Sequence, residues 1–468
     1  MIQRTAQQTI HTAGGAGPRA TRTRTSSRRH ALMGLLAAGL FLMSPPASRA
    51  ADQAKPADDY EPFVVIKAGK IITVADKEIE DGMIVLSGGR IQSVGRNLEY
   101  PLNATVIDAR DRVVMPGLIN PRSRYGLSNY GRGGVHGNIS VADEYFPTPE
   151  EYEEILGSGY TTLALVPAGG GIPGRAMVVR IAGPEDQRVL QSPSYLRVPA
   201  NKATLRGALE QAKKEIEKVD KAREEFDKKL AEQKKQQEEQ KKQEEQKSKD
   251  KAANQPPEKK PDAPPEQAPE PKFEPPPIDP ALEVLVDLLQ EKPGVFALLE
   301  LDRASDYLLM CDVLERFKIA HQFYVRNDGE SDFGYVARRM GEEKAKVIML
   351  PIVNRVPDSA ERTHVVRQLD AAGCTVLLAP GADTPREFQR TLGRVAELVR
   401  DGWDREAALK SVTQYPAELL GLSERLGTIE KDKEADLIFL DADPLDPTAR
   451  VRGVMIAGEM VYPVEDSD

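Results

Sequence analysis

The chain has little of what staples small exported folds or lines nucleic-acid surfaces. Its 468 residues include two cysteines, Cys311 and Cys374, too few for a disulfide framework, and both are expected as buried thiols. Aromatic residues make up 5%, with a single tryptophan, Trp403, expected to pack as a cover in the turn Asp401-Gly402-Trp403-Asp404. Positive charge is also short. The formal net charge is −9, and the first fifty residues hold seven arginines and no acid, which leaves −16 on the remainder. A body that acidic argues against nucleic-acid binding, which needs a basic surface. Long apolar runs are missing too. The run Ala31–Met43 would reach about 20 Å as a helix, against about 30 Å of bilayer hydrocarbon, so no integral span is expected once a signal is removed. Hydrophobic residues still make up 40%, enough for a sizeable buried core.

The first fifty residues read as an address. Ser27-Arg28-Arg29-His30-Ala31-Leu32-Met33 sets a twin arginine before the apolar run, and Pro45-Pro46 and Ser48-Arg49-Ala50 follow with cleavage-site spacing. The pattern predicts export to the periplasm or cell envelope by the route that moves folded proteins. It departs from the usual signal in having Ala31 directly after Arg29-His30, and an uncleaved anchor is the alternative reading.

Residues 201–280 form a second unusual block, with 19 basic and 19 acidic residues. From Leu205 to about Lys249 the composition predicts a solvated, coiled-coil-like helix supported by pairs such as Glu215 with Lys218 and Glu224 with Lys228. Apolar residues thin out after Leu230, so a long seam is not sustained. Eleven prolines between Gln255 and Pro280 then predict an extended tether. The block reads as a tolerated surface insertion or as a partner-binding arm.

Elsewhere the pattern is α/β. Short strands are expected at Phe63–Ile66, Lys70–Val74, Gly82–Leu86, Arg90–Val94 and Ala104–Asp108. More follow near the end at Gly427–Ile429, Ala435–Leu440, Val451–Ile456 and Glu459–Tyr462. Between them, strands at Thr161–Val166, Ala176–Ile181, Val295–Leu299, Ile319–Val325, Lys346–Leu350 and Thr375–Leu378 alternate with helices. The helices are expected at Pro149–Gly157, Ala304–Arg316, Asp332–Met340, Ser359–Ala372 and Pro385–Asp401. This predicts a (β/α)8 TIM-like barrel in two parts, 116–200 and 281–424. A small β-sandwich would be built from both ends of the mature chain, 62–115 and 425–463.

The residues also resemble a known family. Val114-Met115-Pro116-Gly117-Leu118-Ile119-Asn120 is similar to the entry to the first barrel strand of the amidohydrolase superfamily. Tyr415-Pro416-Ala417-Glu418-Leu419-Leu420-Gly421 resembles its C-terminal Asn-Pro-Ala stretch, and Leu426–Glu430, Lys433–Ile438 and Asp443-Pro444-Leu445 continue the likeness. The resemblance is closest to imidazolonepropionase-like members and implies a metal-dependent hydrolase of non-peptide C–N bonds in amides or cyclic amides.

It also implies a divalent metal such as zinc, held by His-x-His on the first strand. Here that strand reads Pro121-Arg122-Ser123-Arg124, and arginine offers donors but no lone pair. The bridging-lysine position falls near Arg197, the next histidine position at Glu300, and the last near Arg326-Asn327. Only Asp383 matches the family's acid on the final strand. Three histidines remain beyond residue 50, namely His136, His321 and His364. His321 begins a strand at the wrong end for a barrel site and His364 falls in a helix, while His136 lies in a glycine-rich loop that could reach the mouth. Arg122, Arg124 and Arg197 are therefore expected to place fixed positive charge opposite Asp383 and Glu300. No cofactor is expected, and the role is binding or scaffolding, with a small-molecule ligand, a protein partner or a second copy as the possible occupants. The alternative is an active hydrolase whose atypical metal site includes Asp383. Gly169-Gly170-Gly171 and Gly131-Arg132-Gly133-Gly134 read as mouth loops rather than phosphate cradles.

Overall fold

The computed structural model describes residues 62–128, 130–146, 149–252 and 272–463. The expected export signal and most of the proline-rich tether lie outside the described residues.

Both ends of the described chain enter one sheet. Its seven strands run in the order Glu459–Tyr462, Val451–Ile456, Leu437–Leu440, Thr105–Pro116, Phe63–Ile71, Ile79–Ser87 and Arg90–Gly95. Valine and isoleucine dominate because their branched side chains pack well on a pleated surface. The sheet curls until its edge meets the segment before Leu437. Ile91 donates its N–H to Lys433 O at 2.8 Å, and Asp432 donates to Ile91 O at 2.8 Å. The curl encloses Ile66, Ile84, Val114, Phe439 and Met455, all with no exposed surface, as the two layers of a sandwich would.

Eight strands make the barrel: Leu118–Ser123, Tyr160–Leu165, the continuous 174–180 segment, Leu196–Pro199, Ala297–Leu301, His321–Val325, Lys346–Met349 and Thr375–Leu378. The ring is completed by two backbone bonds, Leu378 N to Ser411 O at 3.0 Å and Ile119 N to Val412 O at 2.9 Å. Inside it, Ile119, Val178, Leu298, Ile348 and Leu377 pack against Leu419, Leu420 and Leu426. Outside, the alternate residues of the same strands meet the helices.

Two features differ from the expected layout. The third strand runs antiparallel to both of its neighbours. The connection before it, residues 166–173, is too short for a crossover helix, and a parallel return needs a dozen residues or more. The charged helix is also less solvated than its composition suggests. It runs from Lys202 to Ala252, and Leu205, Ala208, Leu209 and Ala212 on its first turns are at most 2% exposed. Those spacings form one helical stripe, so the start of the helix covers the barrel and only its later part projects. The chain returns alongside it, with Phe273 against Phe226 at 5.5 Å and Lys218 Nζ on Pro277 O at 3.2 Å.

Other helices are shorter than read. A 3-10 turn at Phe333–Tyr335 and a helix at Ala337–Glu342 replace one continuous helix. Val365–Ala371 begins only at His364, because residues 354–363 form a small hairpin. Cys311 and Cys374 are buried free thiols, and burial pushes the Cys374 thiol up to about 12. Trp403 is 3% exposed, its indole N–H donating to Asp370. No helix among the described residues is long and apolar enough to cross a membrane.

Candidate functional site

The parallel strands end together at the barrel mouth, and there the predicted charges meet. Glu300 lies near the end of the fifth strand, paired in register with Pro199 on one side and Tyr324 on the other. Its Oε1 accepts from Arg122 Nε at 2.7 Å and from Arg197 Nε at 3.0 Å, and its Oε2 accepts from Arg197 Nη2 at 2.6 Å. Arg197 therefore grips the carboxylate with two parallel bonds, the geometry that suits a planar guanidinium. The three side chains are 11–16% exposed. Arg122 also stacks over the Tyr324 ring at 4.3 Å, a cation–π contact that the sequence reading missed.

Burial sets the electrostatics. It would push the Glu300 carboxyl up, but Arg122 and Arg197 outweigh it and hold the group below the ordinary glutamate range. Burial likewise opposes charge on Arg122, yet Glu300 keeps it above the usual arginine value. The phenols of Tyr195 and Tyr324 are raised by burial and stay neutral.

Asp383 makes a separate cluster. Ser123 Oγ donates to its Oδ1 at 2.5 Å, and the Arg124 backbone N–H donates to its Oδ2 at 2.9 Å. Here one expectation is corrected. The Arg124 guanidinium does not face Asp383 but donates to the backbone carbonyls of Val166, at 2.7 Å, and Ser128. The first strand ends at Ser123, after a register shift between Asn120 and Ser123, so alternation no longer aims residue 124 into the barrel. Burial, with Arg197 and Arg122 nearby, lowers the affinity of the Arg124 side chain for its proton.

The glycine loops support Arg197 rather than cradling phosphate. Arg197 Nη1 donates to Pro167 O and Gly169 O, each at 2.9 Å. Residues 131–136 zip against 169–172 through His136 N to Ile172 O and Ile172 N to Gly134 O, both 2.8 Å. A side chain on Gly169 would meet Arg132 O at 2.1 Å, so only glycine allows the approach.

The histidines sit elsewhere. His136 contacts Gly133 O at 2.7 Å, and His321 contacts Ile319 O at 2.8 Å at the far end of its strand. His364 caps its helix rather than lying inside it, accepting from Arg367 N at 3.2 Å. Among the described residues no group of three or more His, Cys, Asp and Glu is placed to hold a metal ion. The donor set at the mouth also fits a cation poorly. The carboxylate oxygens of Glu300 and Asp383 are already accepting, and guanidinium nitrogens have no lone pair to offer.

Comparison with known proteins bears on the fold. Residues 319–462 match the sequence profile of the amidohydrolase family. Short stretches are 38% identical to N-acetylglucosamine-6-phosphate deacetylase of Bos taurus, over 70 residues, and to 5'-deoxyadenosine deaminase of Methanococcoides burtonii, over 68 residues. These cover 15% and 14% of this chain and only 16% and 15% of the two relatives. Over nearly the whole chain, the fold matches an amidohydrolase from Thermotoga maritima MSB8 with TM-score 0.65 and 20% identity, covering 85% of this chain and 99% of that one. The profile match over residues 319–462 and the shared barrel-plus-sheet fold are the two likenesses to amidohydrolases that reach beyond short stretches of this chain.

Proposed function

We propose that this protein is an exported, metal-free amidohydrolase homologue, with lost or altered C–N hydrolysis and a binding or scaffold role. The observation that carries this reading is the double capture of Glu300 by Arg122 and Arg197. Two fixed guanidinium charges bridged by one carboxylate stand where the resemblance implies metal ligands. They satisfy the mouth electrostatically, and a partnered carboxylate is a poor competitor for a cation. Asp383, held by Ser123 and Arg124, supports the same reading. As a lone general base it would lack a partner to stabilise the oxyanion. Export rests on the twin arginine and the short apolar run.

The test uses full-length protein expressed in an export-competent bacterium and recovered from the envelope fraction. Amides and cyclic amides are assayed with and without added zinc or manganese. The expected product begins near Ala51 and shows no turnover in either condition. Metal-stimulated turnover abolished by Asp383→Asn would overturn the proposal in favour of a hydrolase with an atypical site. Intact residues 1–50 on cytoplasmic protein would overturn export.

A further inference from the structure

A large cavity of the described chain lies away from the mouth. It has a volume of about 770 Å³ and opens between helix Pro385–Arg400, the turn at Gly157-Ser158 and the loop 446–451 of the curled sheet. Gly157-Ser158 immediately precedes the N-terminal end of a barrel strand, and the helix that lines the cavity from Gln389 to Arg400 starts at the mouth and runs away from it. The cleft is therefore at the opposite end of the barrel from Glu300. Its volume is in the range of small-molecule sites, about 300–1,000 Å³.

The walls carry positive charge in an otherwise acidic protein. Arg390, Arg394, Arg400 and Arg450 line the cleft, against the carboxylates of Glu397 and Asp446. The arginines are incompletely neutralised. Arg394 and Arg390 share one carboxylate, Glu387, at 2.8 Å and 3.7 Å. Arg450 Nη1 donates to the backbone carbonyls of Thr448 and Ala449 at 3.0 Å, which fixes it without cancelling its charge. Arg400 has no carboxylate within 4.0 Å among the described residues. Asp446 is turned into its own loop, accepting from the Thr448 N–H at 2.8 Å and hydroxyl at 2.7 Å. The concave wall thus keeps a net positive charge, carried mostly by the solvent-exposed Arg390, Arg400 and Arg450.

Gly393 supplies an independent sign. It sits inside the helix and lines the cleft, and a side chain added there would meet nothing within 4 Å. Glycine costs about 1 kcal/mol relative to alanine at such a position, and no tight packing here requires it. Its effect is to leave the floor of the cleft open.

We propose that this cleft binds a small organic polyanion, a molecule carrying two or more carboxylate or phosphate groups, through the forked donors of its arginines. Guanidinium matches both oxyanions in a bidentate manner. The cleft's size suits a small molecule, and the chain's acidic body disfavours nucleic acid. The proposal does not depend on whether the mouth has lost its chemistry.

The test is calorimetric titration of the full chain with citrate and, separately, pyrophosphate, which distinguishes the carboxylate from the phosphate source. At least one probe is expected to bind. Arg400→Gln and Arg450→Gln are each expected to weaken it by about tenfold, the scale of one charge-assisted contact. Gly393→Leu is the second variant, because it fills the cleft, removes no charge and improves helix propensity. It is expected to fold and to abolish binding. Arg326→Gln, a charge change at the mouth end, is expected to leave binding unchanged. Failure of both probes to bind overturns the proposal. So does binding that survives Gly393→Leu, or binding that falls equally with Arg326→Gln, because either result assigns it to the general surface.

Discussion

Glu300 carries the most consequence of any single residue, because it neutralises two guanidinium groups at once. Removing only its charge strands both. Glu300→Gln is expected to destabilise the protein by about 3–5 kcal/mol, the usual penalty for leaving buried charge uncompensated, as read by denaturant unfolding. A loss below about 1 kcal/mol would mean that solvent or other groups already screen the pair. The pH dependence follows from the same contacts. The folded-state carboxyl is held below its ordinary value, so its contribution is fully present above the unfolded glutamate range of about 4.3 and disappears as pH falls through the folded value. Unfolding free energy should therefore drop in that acid window for the native chain, and by less in Glu300→Gln. Much of this was legible in the sequence. Arg122, Arg197 and Glu300 stand at positions that the family resemblance assigns to ligands, and like-sign substitutions there need a carboxylate. Arg124 was misread because strand alternation was extended one residue past a register shift. Tyr324 was missed because an aromatic residue in a strand looks like ordinary core.

At the scale of elements, the helix Lys202–Ala252 divides into two parts with different physics. Its first turns bury Leu205, Ala208, Leu209 and Ala212, whereas residues 231–240 are all exposed. The sequence reading averaged over the whole segment, and the surplus of Lys, Glu and Gln hid a four-residue apolar stripe at its start. Leu209→Ala is accordingly expected to cost about 2–5 kcal/mol, as large-to-small changes in cores do. Replacing residues 231–271 with a short glycine-serine linker is expected to leave the melting temperature nearly unchanged, since loop length enters closure entropy only logarithmically. Thermal melts of the two variants check both statements. A deletion that unfolds the barrel would show that the projecting part is structural, and a harmless Leu209→Ala would contradict the buried stripe. The antiparallel third strand belongs to the same scale. Its position was visible as an apolar run, but its direction was set by a connection of glycines and prolines too short for a helix.

In the molecule as a whole, the barrel and the curled sheet are joined by a buried ionic network. Arg180, 2% exposed on the third strand, donates to Asp436 at 3.1 Å and to Glu434, which also receives Arg425 at 2.8 Å and Arg90 at 3.1 Å. The family likeness picked out Lys433–Ile438 without revealing that its acids clamp one part of the fold to another. Long-range pairing of this kind leaves no trace in local periodicity. The mouth and this clamp share one principle, in which arginine supplies fixed charge wherever carboxylates are buried.

The most direct test is elemental analysis of the protein purified without chelators, before and after incubation with zinc, manganese, iron and nickel followed by dialysis. The account predicts less than about a tenth of an equivalent of any of these metals in both samples, because among the described residues no group of three or more His, Cys, Asp and Glu is placed to hold one. Close to one tightly held ion per chain, lost in Asp383→Asn, would contradict it.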